Sequence, residues 1–150
     1  VGDLPFAGHR AGESRTALVA GARRLDYDEL RAGIDQFAMA LGGLRVTADA
    51  RVGIWMDKQV ETVLAIFGTA RAGRVFVPVN PLLKAEQAAY IARDCNVEVL
   101  VTTPQRWASL RPIRAECPDL RHVLLVGGGS RRDAVVVLQR PQGAGDGGLR

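Results

Sequence analysis

The chain has 150 residues, 47% of them hydrophobic, and carries 20 Lys and Arg against 16 Asp and Glu, for a formal charge of +4. That length supports one domain with a buried core and not comfortably two, and no apolar run reaches the roughly 18 residues of a membrane span. Five Arg against two Asp fall in residues 121–150, so the basic excess is a tail rather than the groove that nucleic-acid recognition uses.

No charged segment followed by an apolar one opens the chain, so a secretory signal is not visible and a cytoplasmic location is expected. Cys95 and Cys117 lack metal-ligand spacing and read as reduced thiols.

In chain order, residues 1–14 read as a loop, with Gly2, Pro5, Gly8 and Gly12. Thr16–Ala20 and a return strand at Arg24-Leu25, joined through Gly21-Ala22-Arg23, predict a β-hairpin. Asp26 and Glu29 have capping-box spacing at the start of a helix. Its apolar residues Tyr27, Leu30, Ile34, Phe37 and Leu41 recur in steps of three and four, one buried stripe that Gly42-Gly43 ends. Arg51–Trp55 predicts the first strand of a main sheet, and Asp57 is placed to cap a helix from about Lys58 to Ala72 with Val60, Val63, Leu64 and Phe67 on one face.

Gly73 sits where a glycine of positive φ closes a helix. Val75–Val79 is a near-continuous apolar run, suited to a strand covered on both faces. Pro78 cannot donate to a ladder, which predicts a strand end or an edge, and Asn80-Pro81 marks the turn. A helix from about Lys84 to Asp94 turns Ala88, Ile91 and Cys95 to one side, and Val97–Val101 is a third strand. Thr102-Thr103-Pro104 opens a further helix with Pro104 at its first position. Trp107, Leu110 and Ile113 form its inner face, and Pro112 interrupts it. His122–Val126 is the fourth strand.

The expected fold is α/β: a small β-hairpin and helix, then a βαβαβαβ parallel sheet with helices on both faces and right-handed crossovers. Residues 1–15 are expected to be an N-terminal loop, 16–126 the folded unit and 127–150 a flexible or disordered tail.

Candidate chemistry is sparse. Gly127-Gly128-Gly129-Ser130 follows a strand but lacks both the spaced final glycine of a dinucleotide fingerprint and a following Lys-Ser/Thr pair. It reads as an exit loop, and Arg131 and Arg132 add no motif. His9 lies in a loop, and His122 starts a strand as a structural histidine. No nucleophile–base set is supported, and the acidic residues are scattered over caps and helix faces. Lys58 and Lys84, near helix starts, read as solvated. Asn80 follows a parallel strand at its carboxyl end, where α/β sheets bind ligands. A turn-forming Asn before Pro is the commoner case.

Ala72-Gly73 followed by Val77-Pro78-Val79-Asn80-Pro81 resembles an early core motif of the AMP-forming adenylating enzymes (ANL superfamily): acyl-CoA synthetases, their luciferase relatives and peptide-synthetase adenylation domains. Leu25-Asp26-Tyr27-Asp28-Glu29-Leu30 is similar to the first core motif of that family, with Asp26 where Thr or Ser is usual, a swap that keeps the cap. Lys58–Ala65, Asn80–Lys84, Ala89–Ile91, Asp94–Thr102 and Cys117–Val126 extend the resemblance over residues 16–126. The wording of Val79–Lys84 and Arg93–Val97 looks most like the exosortase-associated acyl-CoA ligases of bacteria.

The resemblance implies an N-terminal subdomain of an AMP-dependent synthetase/ligase. In such an enzyme a carboxylic acid attacks the ATP α-phosphate, pyrophosphate leaves, and the acyl group of the acyl-adenylate passes to a thiol, usually CoA. The family holds ATP and Mg²⁺ with a Ser/Thr/Gly-rich loop ending in Pro-Lys-Gly, a Thr-Glu pair, a ribose-binding Asp and a late Lys. None of these motifs occurs here. The implied site list therefore has no catalytic, cofactor-binding or metal residue. The matching family positions are structural: Tyr27, Leu30, Gly73, Pro78, Asn80 and Pro81.

The chain is expected to be the N-terminal part of such a ligase, inactive alone. It should show an open sheet edge and apolar helix faces, hence self-association or docking to the rest of a ligase. Two other readings stand beside it: a stand-alone binding or interaction module, and an unrelated Rossmann-like nucleotide binder. The latter would need a glycine loop after the first strand, where Met56-Asp57-Lys58 offers none.

Overall fold

A computed structural model describes residues 1–8, 10–12 and 14–127, and the backbone of Val135–Gln139. His9, the glycine run from residue 128 onward with Arg131 and Arg132, and residues 140–150 of the expected tail lie outside the described residues.

Strands β1 (Thr16–Ala20) and β2 (Arg23–Asp26) pair antiparallel as the expected hairpin. Helix α1 (Tyr27–Gly42) starts on the capping box: Glu29 N–H donates to Asp26 Oδ1 at 2.8 Å, and Asp26 N–H donates to Glu29 Oε2 at 2.9 Å. Leu30, Ile34, Phe37 and Leu41 are its buried residues, the stripe that the spacing predicts. The N-terminal segment is more than a loop. Leu4–Phe6 form a 3-10 turn, and Phe6 is buried with Leu30 and Ile34 under the Arg31 guanidinium, 4.2 Å from the ring centroid. Periodicity could not show this, because one aromatic among glycines makes no pattern.

The main sheet contains β3 (Arg51–Trp55), β4 (Val75–Pro78), β5 (Val97–Thr102), β6 (His122–Val126) and β7 (Val135–Gln139), in the order β4-β3-β5-β6-β7. The first four are parallel, and β7 pairs antiparallel with β6 from Val126↔Val135 to His122↔Gln139. The reading of 127–150 as a tail is thus corrected for these five residues. The Val135-Val136-Val137-Leu138 run suits a strand, and pairing it satisfies an edge that β6 would otherwise leave open.

Helices α2 (Val60–Arg71), α3 (Ala85–Asp94) and α4 (Pro104–Leu110) connect the parallel strands, and a 3-10 segment, Arg111–Glu116, follows α4. That break falls at Pro112, as expected. One face of the sheet packs on α1 and α2 through Val52, Ile54, Val99, Val101 and Leu124. The other packs on α3 and α4 through Trp55, Val97, Leu100 and Val123. The chain crosses the sheet one way from β3 to β4, then back through β5 to β6. Helices on opposite faces are what right-handed crossovers in those two directions require. Val97 and Val99, two apart, face opposite layers, because a register irregularity between Arg51 and Val52 opposes extra β5 backbone to β3.

Helix α2 serves two layers. Ala65 and Ile66 pack toward the sheet, while Val63, Leu64 and Phe67 pack with α1 and the hairpin. It closes in a Schellman arrangement around Gly73 (φ +71°), with Arg74 N–H donating to Thr69 O and Gly73 N–H to Ala70 O, both at 3.0 Å. Among the described residues no helix is long and apolar enough to cross a membrane.

Candidate functional site

Adjacent strands β3 and β5 continue in opposite directions, β3 through α2 toward β4 and β5 through α4 toward β6. Their carboxyl ends therefore flank a topological switch point, the place where open α/β sheets receive ligands. The loops that meet there follow β3 (residues 56–59), β4 (79–84) and β5 (Thr103).

Arg106, on the first turn of α4, joins all three. Its Nη2 lies 2.9 Å from Asp57 Oδ1, its Nη1 donates to the Pro81 carbonyl at 2.8 Å, and its guanidinium carbon stands 5.1 Å from the centroid of the Trp55 ring. The Arg106 side chain is 19% exposed, against 77% for Asp57. Thr103 caps α4, accepting from Arg106 N–H at 3.4 Å, and the buried Thr102 hydroxyl donates to the Trp55 carbonyl at 2.7 Å. The β3 and β5 ends are thus tied by side chains where the ladder stops.

Asp57 does not cap α2 as its position suggests. Its carboxylate turns to Arg106, and its carbonyl accepts from the Thr62 hydroxyl at 2.7 Å. The helix begins at Val60 instead, with Gln59 N–H donating to Thr62 Oγ1 at 3.3 Å. Either partner would meet the Asp57 carboxylate through a charge-assisted hydrogen bond, but Arg106 brings a full opposite charge where the helix amides are neutral.

The six motif positions do not converge. Tyr27 and Leu30 stand at the start of α1, Tyr27 under the Arg15 guanidinium at 5.8 Å. Gly73 lies before β4, at the opposite end of the sheet from Asn80 and Pro81. Pro78 ends β4, the edge strand. Val75 and Val79 N–H donate inward to Ala50 and Ile54 carbonyls, so alternation points the Pro78 nitrogen at the open edge, where its missing hydrogen removes a donor. Asn80 makes a turn: its Oδ1 accepts from Leu82 N–H at 3.0 Å and its carbonyl from Leu83 N–H at 3.1 Å. Arg106 carries no signal in the sequence, because its partners lie 25 and 49 residues away.

The described residues of this crevice do not fit a nucleotide phosphate or Mg²⁺ by themselves. Arg106 is engaged by Asp57 and Pro81, and no group of three His, Cys, Asp or Glu side chains able to hold a metal gathers among the described residues. Cys117 is buried, with its Sγ 3.5 Å from the Ala89 carbonyl. Burial pushes its thiol above the ordinary value, Glu116 adds to this, and Arg93 and Arg114 pull the other way. A thiol held neutral is a poor nucleophile. At the far end of the sheet, Glu98 accepts from the Thr47 amide at 3.2 Å and from the Thr47 hydroxyl, and His122 Nε2 lies 3.2 Å from the Arg45 carbonyl. Those contacts close the amino-terminal side of the sheet.

Comparison with known proteins decides the family. The family described as AMP-binding enzyme matches residues 7–144. The chain belongs to this AMP-binding enzyme family. An N-(5-amino-5-carboxypentanoyl)-L-cysteinyl-D-valine synthase of Amycolatopsis lactamdurans is 31% identical over 90% of this chain and 4% of its own length. A crotonobetaine/carnitine–CoA ligase of Salmonella paratyphi B is 31% identical over 70% of this chain and 20% of its own. The structure superposes on the anthranilate CoA ligase AuaEII, solved with anthranoyl-AMP, with a TM-score of 0.79 at 28% identity, over 87% of this chain and 25% of that one. These AMP-binding relatives include both synthetases and CoA ligases, and the chain spans a quarter or less of each of the three.

Proposed function

We propose that this chain is the N-terminal part of an AMP-dependent ligase that activates a carboxylic acid with ATP to an acyl-adenylate and transfers the acyl group to CoA. Residues 16–126 form its N-terminal subdomain. The observation that carries this reading is the family match over residues 7–144 together with the superposition on a quarter of a CoA ligase. ATP, Mg²⁺ and CoA belong to the complete ligase, because the crevice described above lacks a phosphate cradle and a metal-ligand group of its own. The isolated chain is inactive on this reading. An ATP–pyrophosphate exchange assay with a panel of carboxylic acids should stay at background, and exchange above it would overturn the inactivity.

The reading of a longer ligase is tested by the nucleotide sequence downstream. A Ser/Thr/Gly-rich segment ending in Pro-Lys-Gly, in the same or a shifted frame, supports it. A stop after Arg150 with no ligase sequence beyond would favour a stand-alone interaction module. The feature that would serve such a module is an apolar surface on and beside α3, where Leu82 is 88% and Tyr90 58% exposed.

A further inference from the structure

We propose that Arg106 is a positioning residue for the carboxyl-end crevice, holding the loops after β3 and β4 in one arrangement relative to α4. The inference rests on the reading that this crevice belongs to a ligand-binding α/β sheet, and it concerns which residue sets the crevice's shape.

Three observations carry it. The two contacts of Arg106 go to different loops, Asp57 Oδ1 at 2.9 Å and the Pro81 carbonyl at 2.8 Å, so one planar fork spans both. The guanidinium lies over Trp55, which is buried at the end of β3, so the fork is seated on the sheet itself. Among the described residues neither loop has another hydrogen bond or ion pair to α4, while Val79 and Leu83 share an apolar cluster with Trp107 and Leu110. Apart from the ion pair of Glu61 with Arg23 of β2, which lies at the start of α2, the remaining polar contacts of residues 57–62 and 80–83 are local, from Thr62 to Asp57, from Gln59 to Thr62 and Met56, and from Leu82 and Leu83 to Asn80. With Arg106 removed, each loop keeps its own turn and its other packing and loses its polar link to α4.

The experiment is residue-resolved amide exchange by NMR on the 150-residue chain and three variants, with Trp55 fluorescence followed in a Trp107→Phe background. Arg106→Ala should speed exchange at Gln59, Leu82 and Leu83 about tenfold, leave Leu100 and Val101 within about twofold, and shift Trp55 emission. Arg106→Lys, whose single ammonium cannot span both loops, should restore Gln59 and leave Leu82 and Leu83 fast. Asp57→Asn should release Gln59 alone, because the Pro81 contact survives.

That split is the signature of a fork positioning two loops. A uniform rise across β5 amides would mean that Arg106 serves general packing, and unchanged loop amides in Arg106→Ala would mean that the loops are held without it. Either result overturns the proposal. None of these measurements depends on ATP or CoA, so this proposal and the ligase reading fail separately.

Discussion

Cys117 shows how one buried side chain sets a pH dependence without taking part in chemistry. Burial first, and Glu116 second, raise its thiol above the ordinary value of 9.0. The folded protein therefore keeps this proton at a pH where the unfolded chain has released it. The contribution to stability is complete below the unfolded value and is lost as pH rises through the raised folded value. We expect the denaturant midpoint to fall as pH rises past the thiol's ordinary value of 9.0, and part of that fall to disappear in Cys117→Ala. In parallel, a thiol reagent at mildly alkaline pH should label the half-buried Cys95 well before Cys117. Equal labelling rates, with a midpoint independent of Cys117, would show that the site is open to water.

At the scale of elements, two glycines of α2 and its cap are needed for different reasons. A Cβ at Gly68 would lie 2.7 Å from Phe37 Cδ1, 2.8 Å from Phe37 Cβ and 3.1 Å from the Ile34 carbonyl oxygen. That glycine lets α2 sit against α1, and the obstructing atoms include backbone and a buried ring that cannot swing away. Gly68→Ala should cost about 1–3 kcal/mol, the range of overpacked cores, by forcing the helices apart. Gly73 has open space around it, and its φ of +71° is what excludes a side chain. Gly73→Ala should cost about 1–2 kcal/mol from the backbone alone, with Gly73→Asn milder because Asn tolerates that region. Urea melts of the three variants check both. If Gly73→Asn were as harmful as Gly68→Ala, the helix end would be constrained by packing that the structure does not contain. Asn96, at φ +52° after α3, already fills the equivalent position there, and its Nδ2 donates to Asp119 at 3.0 Å.

For the whole molecule, the open side of β4 and the apolar surface near α3 matter most. β4 has no neighbour beyond it among the described residues, and Val75 on it is 47% exposed. The edge itself is a poor template, because Pro78 removes one of its outward donors. The surface formed by Leu82, Leu83, Tyr90 and Ile91 has no such defence. Leu83, Tyr90 and Ile91 line a shallow hollow of about 400 Å³ with Glu86 and Gln87. Association of the isolated chain is therefore expected through this surface and not by strand addition. Sedimentation velocity should show concentration-dependent association at micromolar levels that Leu82→Glu with Tyr90→Glu weakens about tenfold or more. A single monomeric species at every concentration would remove the expectation.

Much of this architecture is written in local order. The α1 stripe, its capping box, the glycine that ends α2, the Thr103-Pro104 start of α4 and the strands β3, β5 and β6 each depend on residues within a few positions of one another. Periodicity and cap chemistry expose them, and the family motifs at Tyr27-Leu30 and Gly73–Pro81 lie in the same short stretches. What needed packing is what joins distant parts of the chain. Phe6 enters the core only because α1 and α2 leave room beneath Arg31. Val135–Gln139 becomes a strand because β6 has an edge to share. Asp57 leaves a helix cap for Arg106, 49 residues on. Such choices are competitions between a local partner and a remote one, and their outcome depends on distances that exist only after the sheet has formed.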